Sequence, residues 1–97
     1  MPTFIILGRF TQEGIKKIKE SPQRLAEAQK VIKANEGEMK AFYYTLGQYD
    51  FVAIVEGPSV ENAMRALFTI CSAGAVRTET LVAIPAEKAA EILETLP

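Results

Sequence analysis

Apolar residues follow two patterns along this chain: continuous runs typical of strands, and repeats every three to four residues typical of helices. The first run, residues 3–10, is rich in β-branched and aromatic residues, which predicts a strand covered on both faces. Thr11 then offers a helix N-cap before two isoleucines at helical spacing. Ser21-Pro22 interrupts this helix, but a capping Ser followed by Pro at the first helical position also predicts that a helix restarts here.

The restarted segment is amphipathic and closes at Asn35-Glu36-Gly37. Its apolar side carries Leu25, Ala28, Val31 and Ile32, and its polar side carries Arg24, Glu27, Lys30 and Lys33. A single helix over this stretch is therefore expected.

Two strand-like runs follow, residues 39–46 and 49–56, separated by Gly47-Gln48. A two-residue loop that opens with Gly is typical of a type II′ hairpin, because Gly takes a positive φ without strain. Leu46 would then face Tyr49. One face of the hairpin would carry Phe42, Tyr44, Leu46, Tyr49, Phe51, Ala53 and Val55, and the other Ala41, Tyr43, Thr45, Asp50, Val52, Ile54 and Glu56.

The remainder of the chain predicts a helix, a strand and a short C-terminal helix. Gly57-Pro58 ends the hairpin, and Ser59 is the expected N-cap of a helix that stops at Gly74. The apolar positions of that helix are Val60, Ala63, Met64, Leu67, Phe68 and Cys71. Residues 75–84 predict the fourth strand, and Pro85 begins a helix from Ala86 to about Leu96.

The resulting order, β-α-β-β-α-β, predicts an α+β, ferredoxin-like sandwich: a four-stranded antiparallel sheet with both helices on one face. Both faces of the central hairpin are nevertheless largely apolar, so two helices cannot cover all of that surface. A second copy packing its sheet against the open face would cover it, giving a dimeric α/β barrel. The expected partner is therefore the chain itself, in a homodimer or a larger homo-oligomer.

Composition narrows the possible functions. The 97 residues predict one domain, residues 1–97, and a net charge of −1 favours neither nucleic acid nor an anionic membrane as a partner. The chain start lacks a secretion signal and one cysteine cannot form an internal disulfide, so a cytoplasmic protein is expected. The absence of histidine removes the commonest metal ligand, the usual haem ligand and the Ser-His and Cys-His nucleophile pairs. We therefore expect no metal and no cofactor.

The hairpin sequence from Tyr44 to Pro58 resembles the signature of the GYD domain family, which is named for Gly-x-Tyr-Asp and here reads Gly47-Gln48-Tyr49-Asp50. Residues 11–14, 21–24 and 74–81 are similar to other recurrent segments of that family, in the same order. The resemblance implies a small ferredoxin-like domain of the dimeric α/β-barrel type and no established activity. It also gives structural roles to the motif residues, which are Gly47, Tyr49, Pro58 and Gly74.

Six side chains are candidates for ligand binding: Tyr43, Thr45, Asp50, Glu56, Arg77 and Glu79. Asp50 and Tyr43 could orient a polar ligand or move a proton, or Asp50 could instead fix the turn through hydrogen bonds to backbone N–H groups or Thr45. Glu56 needs a cationic partner if it is buried, with Arg77, Arg9 or Arg24 as the candidates. Such a pair could be structural, or Glu56, Arg77 and Glu79 could form a charged pocket floor.

The remaining candidates have a structural explanation as well. The three tyrosines suit ligand stacking but equally suit core or interface packing, and Cys71 on an apolar helix stripe predicts a buried, inert thiol.

Three functions stay open at this point. The first is an oligomeric small-molecule-binding or regulatory module, with its ligand between sheet and helices or between subunits. The second is a cofactor-independent enzyme acting on a small organic substrate, similar to monooxygenases of related folds, that uses Tyr43, Asp50 and Glu56 with Arg77 as an anion clamp. The third is a purely structural assembly subunit. A pocket of about 300 Å³ or more lined by Asp50, Glu56 and Arg77 would favour a ligand site at these residues.

Overall fold

The computed structural model describes residues 1–97 and contains four strands and four α-helices. In chain order these are β1 (Thr3–Phe10), α1 (Gln12–Lys16), α2 (Ser21–Ala34), β2 (Glu38–Tyr44), β3 (Phe51–Glu56), α3 (Val60–Ser72), β4 (Val76–Ala83) and α4 (Ala86–Glu94). The strands form one sheet in the order β2-β3-β1-β4, with every neighbouring pair antiparallel. The predicted ferredoxin-like α+β order is confirmed.

Two of the three predicted helix caps are present. The Thr11 hydroxyl accepts a hydrogen bond from the Gly14 amide at 3.1 Å, and the Ser59 hydroxyl accepts one from the Asn62 amide at the same distance. The prediction that Ser21 caps α2 was wrong, because a 3-10 turn at Ile18–Glu20 runs directly into α2. Ser21 already has helical φ and ψ of −57° and −41°, so it is the first helical residue and not the cap.

The hairpin has the predicted register but not the predicted loop. Tyr44 pairs with Phe51 and the pairing continues to Ala41 and Ile54, after which a bulge shifts the register. The connection comprises the six residues 45–50, so the two-residue type II′ loop was wrong. The Thr45 amide still donates to the Asp50 carbonyl at 2.8 Å, and the residues between them leave the sheet. Gly47 has a φ of +102°, which is the positive φ predicted for it.

Helices α2 and α3 cover one face of the sheet. The core beneath them contains Phe4 and Ile6 of β1, Ala53 and Val55 of β3, and Ile32 and Ala66 of the two helices. The opposite face, called here the open face, carries the alternate residues of each strand: Ile5, Leu7, Arg9, Ala41, Tyr43, Val52, Ile54, Glu56, Arg77, Glu79 and Leu81. In this structure β1 is therefore covered on one face and not on both.

The stripe that helix α3 turns inward overlaps the predicted one only in part: Ala63, Leu67 and Cys71 of the predicted stripe are partly buried. Ala66 is its buried residue, and Leu67 and Ile70 pack beside the core. The small side chain of Ala66 lets the helix backbone approach the sheet closely, and this selects the face that turns inward. Consequently Val60, Met64 and Phe68 of the predicted stripe are 53%, 49% and 68% exposed.

Helix α4 begins after Pro85, as predicted, and projects from the rest of the chain. Every residue of α4 except Ala89 is exposed, including Ile92 and Leu93 on its apolar side. The radius of gyration of 14.8 Å exceeds the roughly 12.5 Å expected for a compact chain of this length. No helix in the structure is both long enough and apolar enough to span a membrane.

Candidate functional site

The carboxylate of Asp50 joins the hairpin loop to the end of β1. Its Oδ2 accepts a hydrogen bond from the Phe10 amide at 2.9 Å, and the Asp50 amide donates to the Gly8 carbonyl at 2.7 Å. The Thr45 hydroxyl donates to the Tyr49 carbonyl at 2.6 Å, inside the same loop. Asp50 therefore bonds to a backbone N–H group, as the structural interpretation of this residue required.

Tyr49 belongs to a small polar cluster on the open face. Its hydroxyl donates to Glu79 Oε1 at 2.9 Å, so the loop reaches over β1 to β4. The Arg9 guanidinium lies 4.7 Å from the centre of the Tyr49 ring, and Arg9 Nε donates to the Gln48 carbonyl at 2.9 Å. The alternation of residues along the predicted strand placed Tyr49 on the same face as Phe51. The loop instead turns the Tyr49 side chain to the opposite face.

The contact with Glu79 changes the acidity of the tyrosine. The hydrogen bond to Glu79 raises the pKa of Tyr49 above its ordinary value of 10.0, and the nearby carboxylate charge acts in the same direction. The Arg9 charge opposes this shift. The hydrogen bond to Glu79 therefore extends the pH range in which the Tyr49 phenol stays protonated.

The other predicted ligand residues lie on the open face without converging. Tyr43 and Glu79 belong to one cross-strand row, with Val52 and Leu7 between them. Three strand spacings of about 4.8 Å separate the two ends of that row by roughly 14 Å.

Glu56 lies at the far end of the sheet, opposite Thr3 and Glu38, and makes no salt bridge. Arg77 instead pairs in the ladder with Arg9. Neither an ion pair at Glu56 nor a pocket floor of Glu56, Arg77 and Glu79 is present. No three acidic or cysteine side chains lie close enough together to hold a metal ion.

A cleft of about 360 Å³ lies on the covered face, between the sheet and helices α2 and α3. Its floor contains Phe10, Phe42 and Phe51, with stacked rings 5.1 Å apart for Phe42 and Phe51. Its walls come from α2 and α3 and include Leu25, Ala28, Val31, Leu67 and Ile70. The cleft is therefore apolar in its interior.

Small residues keep the cleft open. Ala28 on α2, Ala53 on β3, and Ala73 and Ala75 beyond α3 all line it, and each leaves space that a larger side chain would fill. None of the six residues predicted to bind ligand lines this cleft.

Polar residues of the cleft come from the first turns of α2 and from the far wall. Glu20, Ser21, Arg24 and Glu27 line it on the α2 side, and Thr69 and Thr78 on the α3 and β4 side. Sequence analysis had identified Ser21 as a helix cap, and Arg24 as part of a polar helix face and as a possible partner of Glu56, but neither as a residue of a cleft. The sequence signal that could have indicated the cleft is the presence of alanines among larger apolar residues on the inner sides of helices and strands. Which of these alanines leave a gap depends on how closely the helices approach the sheet.

Comparison with known proteins identifies relatives of the whole chain. The family model described as the GYD domain matches residues 4–93. A protein of Thermus thermophilus, named as a glutamine synthetase and cystathionine beta-lyase binding protein, is 38% identical over 86 residues, covering 88% of this chain and 90% of that protein.

Solved structures share the fold. TTHA0845 from Thermus thermophilus is 28% identical, with a TM-score of 0.56, covering 88% of this chain and 95% of that one. A feast or famine regulatory protein from M. tuberculosis, complexed with L-methionine, is 16% identical with a TM-score of 0.67. The match covers 88% of this chain and 51% of the regulator, and at this identity it shows the fold alone.

Proposed function

The chain belongs to the GYD domain family, and on that premise we propose that it is a homo-oligomeric, non-enzymatic regulatory module that binds a small molecule between its sheet and helices. The observation that carries this proposal is the apolar cleft of about 360 Å³, which falls in the size range of small-ligand pockets. In this proposal the ligand binds on the covered face, and a second copy packs against the open face.

The candidate catalytic residues lie far apart, which disfavours the hypothesis that the protein is an enzyme. General acid–base catalysis requires its groups within hydrogen-bond reach of one substrate atom. Tyr43 and Glu56 lie on the open face at different strand positions, whereas the Asp50 carboxylate already accepts a backbone hydrogen bond. A substrate in the cleft would meet none of these three side chains.

The open face supports self-association. Ile5, Leu7, Val52 and Ile54 form its apolar centre, and Tyr43 at its edge is 62% exposed. Apolar patches of this kind on a small protein mark interaction surfaces, and two copies related by a two-fold axis would cover each other's patch. The apolar side of α4, exposed in one subunit, is available for the same purpose.

Sedimentation tests the oligomer. We expect the purified protein to sediment as a dimer or larger, and Val52→Asp to produce a monomer, because it places a charge in the centre of the open face. Thr80→Asp is the matched control, since Thr80 is an exposed β4 residue on the other side of the sheet. A wild-type monomer at high concentration would refute self-association through this face.

Native mass spectrometry tests the ligand. We expect the gently purified protein to retain a small molecule, and Ala53→Leu, which fills the cleft from β3, to lose it. Retention of the same molecule by Ala53→Leu would place the ligand elsewhere.

A second candidate function is binding to a metabolic enzyme, because the 38% identical relative is named for two such partners. The structure supplies a suitable surface: Val60, Met64 and Phe68 form an exposed apolar stripe on α3, opposite the open face. That stripe stays accessible when open faces pair.

Pull-down with purified glutamine synthetase and cystathionine beta-lyase tests this candidate. We expect Phe68→Ser to abolish capture and Arg65→Ala, on the same helix, to preserve it. Capture that is unchanged by Phe68→Ser would exclude the stripe as the contact surface.

A further inference from the structure

We propose that the ligand of the cleft is a small, uncharged and predominantly apolar molecule of about the size of one substituted aromatic ring. This inference rests on the proposed function and names the ligand class of that same site. Three features of the cleft carry it: satisfied polar groups in the interior, a charge balance at the α2 side that disfavours anions, and a limited volume with an aromatic floor.

Two hydroxyl groups that line the cleft already have hydrogen-bond partners within the protein. The Ser21 hydroxyl is hydrogen-bonded to the Tyr44 hydroxyl at 2.8 Å, and the Thr69 hydroxyl donates to the Arg65 carbonyl at 2.8 Å. No buried side-chain nitrogen or oxygen in the protein lacks a hydrogen-bond partner. A charged or strongly polar ligand group placed against the aromatic floor would lose its hydration without replacement, which is unfavourable.

The charges along the cleft lie on its α2 side and do not attract anions. Arg24 lies 3.4 Å from Glu20, and Glu27 lines the cleft nearby. One positive and two negative side chains leave a net charge of −1 there. An anionic ligand would have to displace Glu20 from Arg24 and approach Glu27, whereas a neutral ligand avoids both costs.

The volume of the cleft limits the size of the ligand, and the aromatic floor of the cleft limits its shape. About 360 Å³ is near the lower end of the volumes of small-molecule pockets, which favours a ligand of modest size. Phe51 stacks on Phe42 and is tilted against Phe10 at a centroid distance of 5.8 Å. These rings present aromatic surface that suits a flat apolar ligand.

The test compares three para-substituted toluenes that differ in charge at neutral pH: p-cresol (neutral), p-toluate (anionic) and p-methylbenzylamine (cationic). Each is titrated into the full-length protein, and backbone amide chemical shifts are followed by NMR. We expect p-cresol to shift the amides of Ala28, Ala53 and Ile70, with a Kd about tenfold or more below that of p-toluate. The amine should fall between them.

Two matched variants locate the binding. Ala28→Leu adds a side chain inside the cleft, and Ala26→Leu adds the same side chain to the exposed side of α2, outside the cleft. We expect Ala28→Leu to weaken the binding of p-cresol by about tenfold or more, and Ala26→Leu to leave the affinity for p-cresol unchanged. A circular dichroism melt of both variants shows that each remains folded.

The outcomes separate the ligand class from the proposed function. If p-toluate causes the strongest chemical-shift changes at the cleft amides, the proposal that the ligand is uncharged is wrong, but the proposal that the cleft binds a ligand stands. Absence of cleft shifts with all three probes would overturn both proposals. Shifts by p-cresol that Ala28→Leu does not reduce would show binding outside the cleft and also overturn the inference.

Discussion

Replacement of Asp50 by Ala should destabilise the protein by removing the acceptor of the Phe10 amide. The carboxylate accepts this bond at 2.9 Å in a partly buried position, and hydrogen bonds to charged groups contribute about 1.5–3 kcal/mol. The two backbone bonds of Asp50, to Gly8 and Thr45, do not depend on its side chain. We therefore expect a loss of about 2 kcal/mol in the free energy of unfolding.

Urea denaturation at one fixed protein concentration measures this loss, because the stability of an oligomer depends on concentration. A loss of that size corresponds to a decrease of roughly 10 °C in Tm for a domain of about 100 residues. Asp50→Asn keeps an oxygen acceptor and should cost less than about 1 kcal/mol. Glu94→Ala, which removes an exposed carboxylate at the end of α4, controls for the change in net charge.

Two results would refute this reasoning. Asp50→Ala could match Glu94→Ala in stability, in which case the bond to Phe10 contributes nothing. Alternatively, Asp50→Asn could be as unstable as Asp50→Ala, which would assign the effect to charge and not to the acceptor oxygen. A loss of stability in Asp50→Ala would also mean that any accompanying loss of function is not evidence for catalysis by this residue.

Three further substitutions follow from single contacts. Glu79→Gln should lower the pKa of Tyr49 toward 10.0, as measured by tyrosinate absorbance. Because the pKa of Tyr49 is higher in the folded state, the Tyr49–Glu79 contact contributes its full stability below the unfolded-state pKa. That contribution is lost as pH rises through the folded-state pKa. An unchanged tyrosine titration in Glu79→Gln would contradict the predicted shift. Gly8→Ala should cost about 1–3 kcal/mol in urea denaturation, because its methyl group would overlap the Phe51 ring, and an unaffected midpoint would show that the ring moves freely. Gly47→Ala should cost about 1 kcal/mol because φ there is +102°, although the space around it is open, and equal stability would mean that the loop relaxes to a negative φ.

Local chemistry made the element order, two helix caps and the hairpin register predictable from the sequence. Thr11 and Ser59 cap helices through contacts within three residues of themselves, so neighbouring residues decide them. The alternation of apolar residues fixed which strand positions share a face, since a slip by one residue would reverse every side chain. The predicted pairing of Tyr44 with Phe51 held even though the loop between them is longer than expected.

The tertiary structure decided which surfaces meet. Tyr49 faces Glu79 because Asp50 attaches the loop to β1, a contact that spans some forty residues of chain. Helix α3 turns Ala66 inward because the sheet accepts a close approach there, so Phe68 remains exposed although the periodicity of the sequence fits it equally well. The cleft lies between elements and not within any of them: its existence depends on the distance between helices and sheet, which periodicity does not encode.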